Sequence, residues 1–221
     1  SDIVKCINQG TVKGINIVGG ITGQTGNNTK HIGCSNEGEV QASGKVCAGG
    51  IAGNIGSGSS VENSYNTGSI IVTDAPVIVT GVGGITGING SSNSFVKNSY
   101  SVGYVKVTGV GSAVAVGGIT GSYSTGNSNN YFYRHNVFTG KTEADLSVPA
   151  ETGDEIISGH NMPIQEGAYK SGELAWRLDM GHTSKRLNIW AQDTVLECPT
   201  LDTAKYKIVY RLLVEDADHG N

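Results

Sequence analysis

The chain has 221 residues, of which 34 are glycine and 15% are charged, and its formal net charge is −4 at pH 7. This mild negative charge argues against nucleic-acid binding, which would need a basic surface with interleaved aromatic side chains. No apolar stretch approaches the ~20 residues that a membrane-spanning helix requires, and no signal peptide is recognisable.

A six-residue motif occurs four times in the first 121 residues, at intervals of 30, 34 and 34 residues. Each copy contains a pair of glycines followed by isoleucine, and the copies are Val18–Gly23, Ala48–Gly53, Val82–Gly87 and Val116–Gly121. A fixed period of roughly 20 to 50 residues is typical of proteins that are built from stacked repeats. The first repeat begins almost at residue 1, so we expect the chain to be a fragment of a longer polypeptide.

A second motif precedes each pair of glycines, with copies that begin at Asn8, Asn36, Asn66 and, in a drifted form, Ser101. Each copy ends in a glycine, and two residues after that glycine come Val12, Val40, Ile70 and Val105. The isoleucines that follow the paired glycines are Ile21, Ile51, Ile85 and Ile119. Two β-branched positions therefore recur in every repeat. Stacked β-strands place such identical side chains about 4.8 Å apart in one core.

The paired glycines are the strongest structural signal, and they are Gly19, Gly20, Gly49, Gly50, Gly83, Gly84, Gly117 and Gly118. They predict sharp corners or positive φ angles, at places where a side chain would clash with the neighbouring coil. The run Gly81–Gly87 nearly imitates a dinucleotide-binding motif. Because every repeat carries the same run, we interpret it as a corner of each coil and expect no cofactor.

These patterns predict an all-β fold, namely a parallel β-helix (β-solenoid) of four coils and a partial fifth over residues 1–140. We expect two or three short strands in each coil. Helical repeats are disfavoured, because no repeat offers a glycine-free stretch with helical apolar spacing. Leucine-rich repeats are excluded, because residues 1–140 contain no leucine.

The composition changes near residue 140. Residues 1–140 contain 28 of the 34 glycines and 12 charged residues, whereas residues 141–221 contain 22 charged residues and both tryptophans. We predict that residues 141–221 form a C-terminal cap and exit segment, because an open coil end exposes strand edges and apolar core. Within this cap we expect an irregular stretch over 141–168, a short helix over Ser171–Met180 and a strand over Tyr206–Val214.

Four cysteines need an explanation. Cys6 and Cys34 occupy the same repeat position, where the next two repeats have Ser64 and Ser99. Either a disulfide joins adjacent coils here or the residues form a ladder of small side chains in a turn, and the ladder is favoured. Cys47 and Cys198 are expected to be single buried thiols. No metal site is expected, because no cysteine or histidine pair has zinc-ligand spacing.

The repeats resemble a known family. The stretch Asn63–Ile70 followed by Val82–Gly87 resembles the GLUG repeat of bacterial surface and secreted proteins, which also occurs in IgA-specific metallopeptidases. The segment that closes such arrays is similar to Lys170–Leu178, Trp190–Gln192, Cys198–Leu201 and Lys207–Tyr210, although Cys198 stands where tyrosine is more usual. The resemblance implies a right-handed solenoid, an extracellular or cell-surface location in bacteria, and neighbouring domains of the same polypeptide as partners. The protease motif His-Glu-x-x-His is absent from the sequence.

No catalytic residue is predicted. A polysaccharide-cleaving solenoid needs paired carboxylates on one face, and the acids of the four coils are only Asp2, Glu37, Glu39, Glu62 and Asp74. We interpret these acids as solvated turn charges. The candidate ligand-binding residues are the aromatic cluster Tyr123, Tyr131, Tyr133 and Arg134, since tyrosine and arginine anchor interfaces. Their position where the last coil meets the cap favours burial instead.

The sequence thus predicts a non-catalytic structural or adhesive module of a larger bacterial protein. It would be monomeric and would act as a rigid spacer or as a platform that presents neighbouring domains or binds host glycans or proteins. The alternative is a carbohydrate-binding module or a polysaccharide-active enzyme that uses one face of the solenoid.

Overall fold

The computed structural model describes residues 1–73, 81–109, 115–121, 126–140, 142, 161–180 and 186–209. The chain divides into two compact units, Ser1–Ile164 and Gln165–Asn221. The first unit is a β-solenoid of stacked parallel strands, as the repeats predict.

Successive coils of the first unit contain short strands in the same order. Coil 1 contains β1 (Asp2–Val4), β2 (Ile7–Asn8), β3 (Val12–Gly19) and β4 (Thr22–Gln24). Coil 2 contains β5 (Lys30–Ile32), β6 (Ser35–Asn36), β7 (Val40–Gly49) and β8 (Ala52–Ile55). Coil 3 contains β9 (Ser60–Glu62), β10 (Tyr65–Asn66), β11 (Ile70–Thr73), β12 (Gly81–Gly83) and β13 (Thr86–Asn89). The prediction of two or three strands per coil was too low, because the chain turns at more corners than the glycine pairs mark.

The later coils continue this order. Coil 4 contains β14 (Phe95–Lys97), β15 (Tyr100–Ser101), β16 (Val105–Val107) and β17 (Val116–Gly117). They are followed by β18 (Asn130–Phe132), a 3₁₀ turn over Arg134–Asn136, β19 (Val137–Thr139) and β20 (Asn161–Pro163). Strand β20 pairs with β18, so the stack reaches beyond the predicted boundary at residue 140. Part of the stretch that was predicted to be irregular is therefore a solenoid strand.

Four parallel sheets run along the stack, and each takes strands from successive coils. Sheet A contains β1, β5, β9 and β14, and sheet B contains β2, β6, β10, β15, β18 and β20. Sheet C contains β3, β7, β11, β12, β16, β17 and β19, and sheet D contains β4, β8 and β13. Because the strands pair in register, equivalent residues of successive coils form columns along the stack.

The two recurring β-branched positions fill two parts of the core, which confirms that prediction. Val40, Ile70 and Val105 lie in one buried cluster, together with the inward-facing valines of sheet C. The isoleucines that follow the paired glycines lie in a second cluster, where Ile51, Ile85 and Ile119 are fully buried. Their counterparts in coil 1, Val12 and Ile21, are only half-buried.

The repeat glycines are required by close contact and not by backbone conformation, because none of those described has a positive φ angle. A Cβ atom on Gly50 would lie less than 3.0 Å from the Asn66 side chain and from the Gly84 carbonyl oxygen. Positive φ angles recur instead at the corner between sheets A and B. In five successive coils this corner residue is Lys5, Gly33, Asn63, Asn98 and Asn129.

The described residues of the second unit form two helices and a two-stranded antiparallel sheet. They are α1 (Glu166–Lys170), α2 (Glu173–Met180), β21 (Ala191–Asp193) and β22 (Cys198–Thr200). Helix α2 matches the predicted helix, whereas the first three residues of α1 lie in the stretch 141–168 that was predicted to be irregular. Residues 206–209 are not in a strand, and the rest of the strand that was predicted there lies outside the described residues.

The interior of the second unit is organised around a buried carboxylate. Asp179 of α2 is fully buried and pairs with the guanidinium of Arg186 at 2.9 Å. Its other oxygen accepts hydrogen bonds from the backbone N–H groups of Ile189 and Trp190. The buried charge is thereby compensated, as a buried ion requires. No helix in the described part of either unit is long and apolar enough to cross a membrane.

Candidate functional site

The candidate ligand-binding feature of the solenoid is a column of side chains on the outer face of sheet C, which we name the sheet C stripe. It consists of Lys13, Gln41, Ile71, Lys106 and Phe138, which the strand register places side by side. The three middle residues have strand neighbours on both sides that face the core, so alternation directs the stripe outward. Five coils at a spacing of about 4.8 Å give the stripe a length of about 19 Å.

The C-terminal end of the stripe carries an aromatic pair. Tyr104 is 56% exposed, and its ring lies beside that of Phe138 with centroids 6.2 Å apart and planes inclined by 24°. Exposed aromatic faces of this kind stack on apolar faces of ligands and supply much of the binding energy at interfaces.

The N-terminal end of the stripe is a shallow depression of about 490 Å³, lined by Lys13, Gly14, Ile15, Gln41, Ala42, Ser43 and Thr73. Ile15 is 72% exposed and gives the depression an apolar edge. Lys13 and Gln41 add an ammonium and an amide group. The stripe as a whole therefore offers stacking, apolar and hydrogen-bonding contacts to an extended ligand.

The predicted aromatic cluster does not form one exposed surface among the described residues. Tyr131 is 3% exposed, and its hydroxyl donates a hydrogen bond to Asn129 Oδ1 at 2.8 Å. Tyr133 is half-buried, the backbone of Arg134 belongs to the 3₁₀ turn, and Tyr123 lies outside the described residues. Tyr131 can therefore contact a ligand only if this part of the stack opens.

Tyr131 instead continues an aromatic column on sheet B. Its strand pairs in register with Tyr100, which is fully buried and stacks on Tyr65 with centroids 5.3 Å apart and planes inclined by 5°. The Tyr65 hydroxyl donates to Glu37 Oε1 at 2.8 Å, and Gln9 Nε2 donates to Glu37 Oε2 at 3.0 Å. Both oxygens of this carboxylate thus accept hydrogen bonds from neutral side chains.

Two other acids of the coils, Glu39 and Glu62, also have neutral partners. Gln41 Nε2 donates to Glu39, and Ser60 Oγ donates to Glu62 Oε1 at 2.8 Å. Asp74 lies outside the described residues. In the part of the chain that the structure describes, no group of three or more His, Cys, Asp or Glu side chains could hold a metal ion.

Cys6 and Cys34 lie at one corner of successive coils as free thiols, the first exposed and the second buried. The next two coils show how this column is bonded. The Cys34 N–H donates to Ser64 Oγ, and the Ser64 N–H donates to Ser99 Oγ, each at 3.1 Å. Burial raises the pKa of the Cys34 thiol, so the neutral form is favoured. The geometry is that of a ladder of small side chains.

A buried histidine is a feature that sequence reasoning missed. His31 lies in register with Ile3 and Val61 and is fully buried in the column that faces the core from sheet A. Its Nε2 lies 2.9 Å from Thr22 Oγ1, and Nδ1 has no hydrogen-bond partner within the described residues. Burial lowers the pKa of His31, although the Ser60 backbone partly opposes this, so the imidazole is held neutral. In the sequence, the burial of His31 is indicated only by its alignment with Val61 of the next repeat.

Compared with protein-family models, with curated proteins and with solved structures, the chain matches none. The resemblance to GLUG repeats therefore stays a prediction from the repeat pattern. The class that the geometry defines is a parallel β-solenoid with an outward-facing stripe.

Proposed function

We propose that residues 1–164 act as a non-catalytic, rigid module of a larger bacterial surface or secreted protein. The module keeps neighbouring parts of the polypeptide apart and presents its outer faces to ligands. The observation that carries this proposal is the continuous, in-register stacking of parallel coils on four sheets.

Stacking on several sheets supports rigidity for a mechanical reason. Sheets A to D lie on different sides of each coil, so bending the stack in any direction stretches inter-coil hydrogen bonds on one side. Buried side-chain ladders join the coils as well, since Asn36 Nδ2 donates to Asn66 Oδ1 at 2.7 Å inside the stack. A buried hydrogen bond of this kind is expensive to break without water to replace it.

Pulling the whole chain between two handles should test this role. We expect no extension until the stack ruptures, followed by discrete steps as coils unravel. A repeat of 30 or 34 residues should release about 100 to 120 Å of extended chain. Single-molecule force spectroscopy measures both quantities. Gradual lengthening at low force, without discrete steps, would contradict the rigid-module proposal.

A second candidate function is binding of an extended carbohydrate along the sheet C stripe. The specific observation in its favour is the exposed ring of Tyr104 beside Phe138, in line with Lys106, Ile71 and Gln41. This arrangement provides a stacking platform at one end and polar groups along one line, which suits a linear chain of sugar rings.

A glycan array probed with the chain distinguishes the two candidates. Carbohydrate binding predicts saturable binding of elongated glycans, weakened at least about tenfold in a Tyr104→Ala/Phe138→Ala double variant. A Leu196→Ala variant is the matched control, because Leu196 is 72% exposed but belongs to the second unit. If the chain binds no glycan on the array, or if both variants lose binding equally, the rigid module is the better explanation.

A further inference from the structure

The face of coil 1 that points away from the stack is unlike the same face of every later coil. Strands β1, β2 and β4 are the terminal strands of sheets A, B and D, so one edge of each pairs with no other described strand. The core residues Ile3, Val12 and Ile21 are half-buried, whereas Val61, Val40 and Ile51 at the equivalent positions have no exposed surface. This open face carries apolar core and strand edges together.

One column of glycines indicates what the open face is shaped to contact. A Cβ atom on Gly38 would lie less than 3.0 Å from the carbonyl oxygen of Gly10 in the coil beneath. The same relation joins Gly68 to Gly38 and Gly103 to Gly68. Gly10 occupies this position in coil 1. The nearest atom to a Cβ on Gly10 would be Asn8 Oδ1 of its own coil, at 3.9 Å.

Two more columns repeat the pattern. A Cβ atom on Gly53 would lie less than 3.0 Å from the carbonyl oxygen of Gly23 in the coil beneath, and one on Gly56 equally close to that of Gly26. On coil 1 itself, a Cβ on Gly26 would meet nothing within 4 Å, and one on Gly23 would meet only its own coil at 3.0 Å. None of these three glycines of coil 1 has a positive φ angle. Neither conformation nor contact among the described residues requires glycine at positions 10 and 26.

The asparagine ladder gives the open face a polarity. Each asparagine donates through Nδ2 to the next coil, from Asn8 to Asn36 Oδ1 and from Asn36 to Asn66 Oδ1, at 2.7 Å each. The acceptor atom at the open face is therefore Asn8 Oδ1. Among the described residues it accepts a hydrogen bond only from the Gly10 N–H of its own turn, at 3.2 Å. A matching partner must bring an amide donor.

This polarity argues against a second copy of the chain as the partner. Two open faces meeting head to head would place two Asn8 acceptors against each other. At the opposite end of the stack the same column contains Phe132 and Pro163, which have no side-chain donor. Neither end of another copy supplies the amide that the open face needs.

We infer that coil 1 is a docking face for a further parallel β-coil with the same asparagine–x–glycine motif. The asparagine amide of that coil would donate to Asn8 Oδ1, and its backbone would cover Gly10, Gly23 and Gly26. This inference rests on stack geometry and is independent of the proposed function, since a coil can dock whether or not the module is rigid or binds glycans.

The test compares the chain with an extended chain in which a copy of residues 30–59 replaces Ser1. The strand register places Asp2 opposite Lys30, so the added coil continues the stack and sets its own asparagine beneath Asn8. We expect the extended chain to have a higher Tm. Gly10→Ala should leave the Tm of the original chain unchanged and lower that of the extended chain by at least about 5 °C.

Gly38→Ala is the matched control, because it should lower the Tm of both chains. If that variant does not fold, Gly26→Ala and Gly56→Ala provide the same comparison. Two results would overturn the inference. One is an extended chain whose Tm is no higher than that of the original chain, and the other is a Gly10→Ala substitution that lowers the Tm of neither chain. Sedimentation equilibrium of the original chain provides a further check. A dimer that is lost in Gly10→Ala would assign the face to a second copy and would also overturn it.

Discussion

Replacing Gly50 with alanine is expected to lower the free energy of unfolding by about 3 kcal/mol. The added Cβ would lie less than 3.0 Å from the Asn66 side chain and from the carbonyl oxygen of Gly84, both in the coil above. Neither neighbour can yield, because Asn66 is held in the buried ladder and Gly84 belongs to the next glycine pair. Relief would require the coils to separate. Urea denaturation followed by circular dichroism measures the loss.

Gly26→Ala is the control for Gly50→Ala. Gly26 is exposed, has no positive φ angle, and would place its Cβ in open space. We expect its free energy of unfolding to change by less than about 0.5 kcal/mol. If both variants lost the same stability, the backbone conformation of the turns, and not contact between coils, would explain the need for glycine.

The stacked fold was predictable because a repeat carries its own register. Once Val40, Ile70 and Val105 recur at a fixed place before each glycine pair, strands that stack in parallel bring them into one column. The period therefore determined the fold class without any knowledge of individual contacts.

The number of strands and the extent of the stack were not predictable from the same signal. The corner between sheets A and B is made by residues as different as Lys5, Gly33 and Asn63, which share a positive φ angle and no side-chain chemistry. Strand β20 carries none of the repeat motifs and joins the stack through backbone pairing with β18. A motif search finds only those coils whose glycines touch another coil.

The candidate site was not predictable either, because its residues belong together only through register. Lys13, Gln41 and Phe138 have no common chemistry, and nothing in the sequence groups them before the strands of sheet C are aligned. The aromatic cluster near residue 131 was visible in the sequence. Local sequence could not say that Tyr131 lies beside Tyr100 in a buried column.

The asparagines make hydrogen bonds within their own turns, which the sequence predicts, and also hydrogen bonds between coils, which it does not. Sequence reasoning gives Asn66 a role in its own turn, and its Nδ2 does donate to the Gly68 carbonyl oxygen at 2.9 Å. The same side chain also accepts from Asn36 of the coil beneath and donates to Ser101 Oγ of the coil above at 3.2 Å. One buried amide thus stabilises a turn and two coil junctions.

Asn66→Ala should therefore lower the free energy of unfolding by about 3 kcal/mol or more. The substitution leaves the Asn36 amide and the Gly68 carbonyl buried without these partners, and each unsatisfied buried group costs about 1 to 3 kcal/mol. Asn8→Ala is the matched variant at the open end of the same ladder, where the side chain is only half-buried and water can replace its bonds. We expect it to cost about 1 kcal/mol. Equal losses in urea denaturation would mean that the turn, and not the ladder, accounts for the asparagines.

The Asn66→Asp substitution distinguishes the hydrogen bonds of the ladder from the packing of the side chain, because it keeps the shape of the side chain and removes its two N–H donors. A carboxylate at this position could still accept from Asn36 but would face the Gly68 carbonyl oxygen and be buried without a cation. Its folded-state pKa should be raised, so the variant should become more stable as the pH falls toward the unfolded value near 4. Stability that rises on acidification in Asn66→Asp, but not in Asn66→Ala, would show that this position of the ladder requires a neutral side chain that can donate a hydrogen bond.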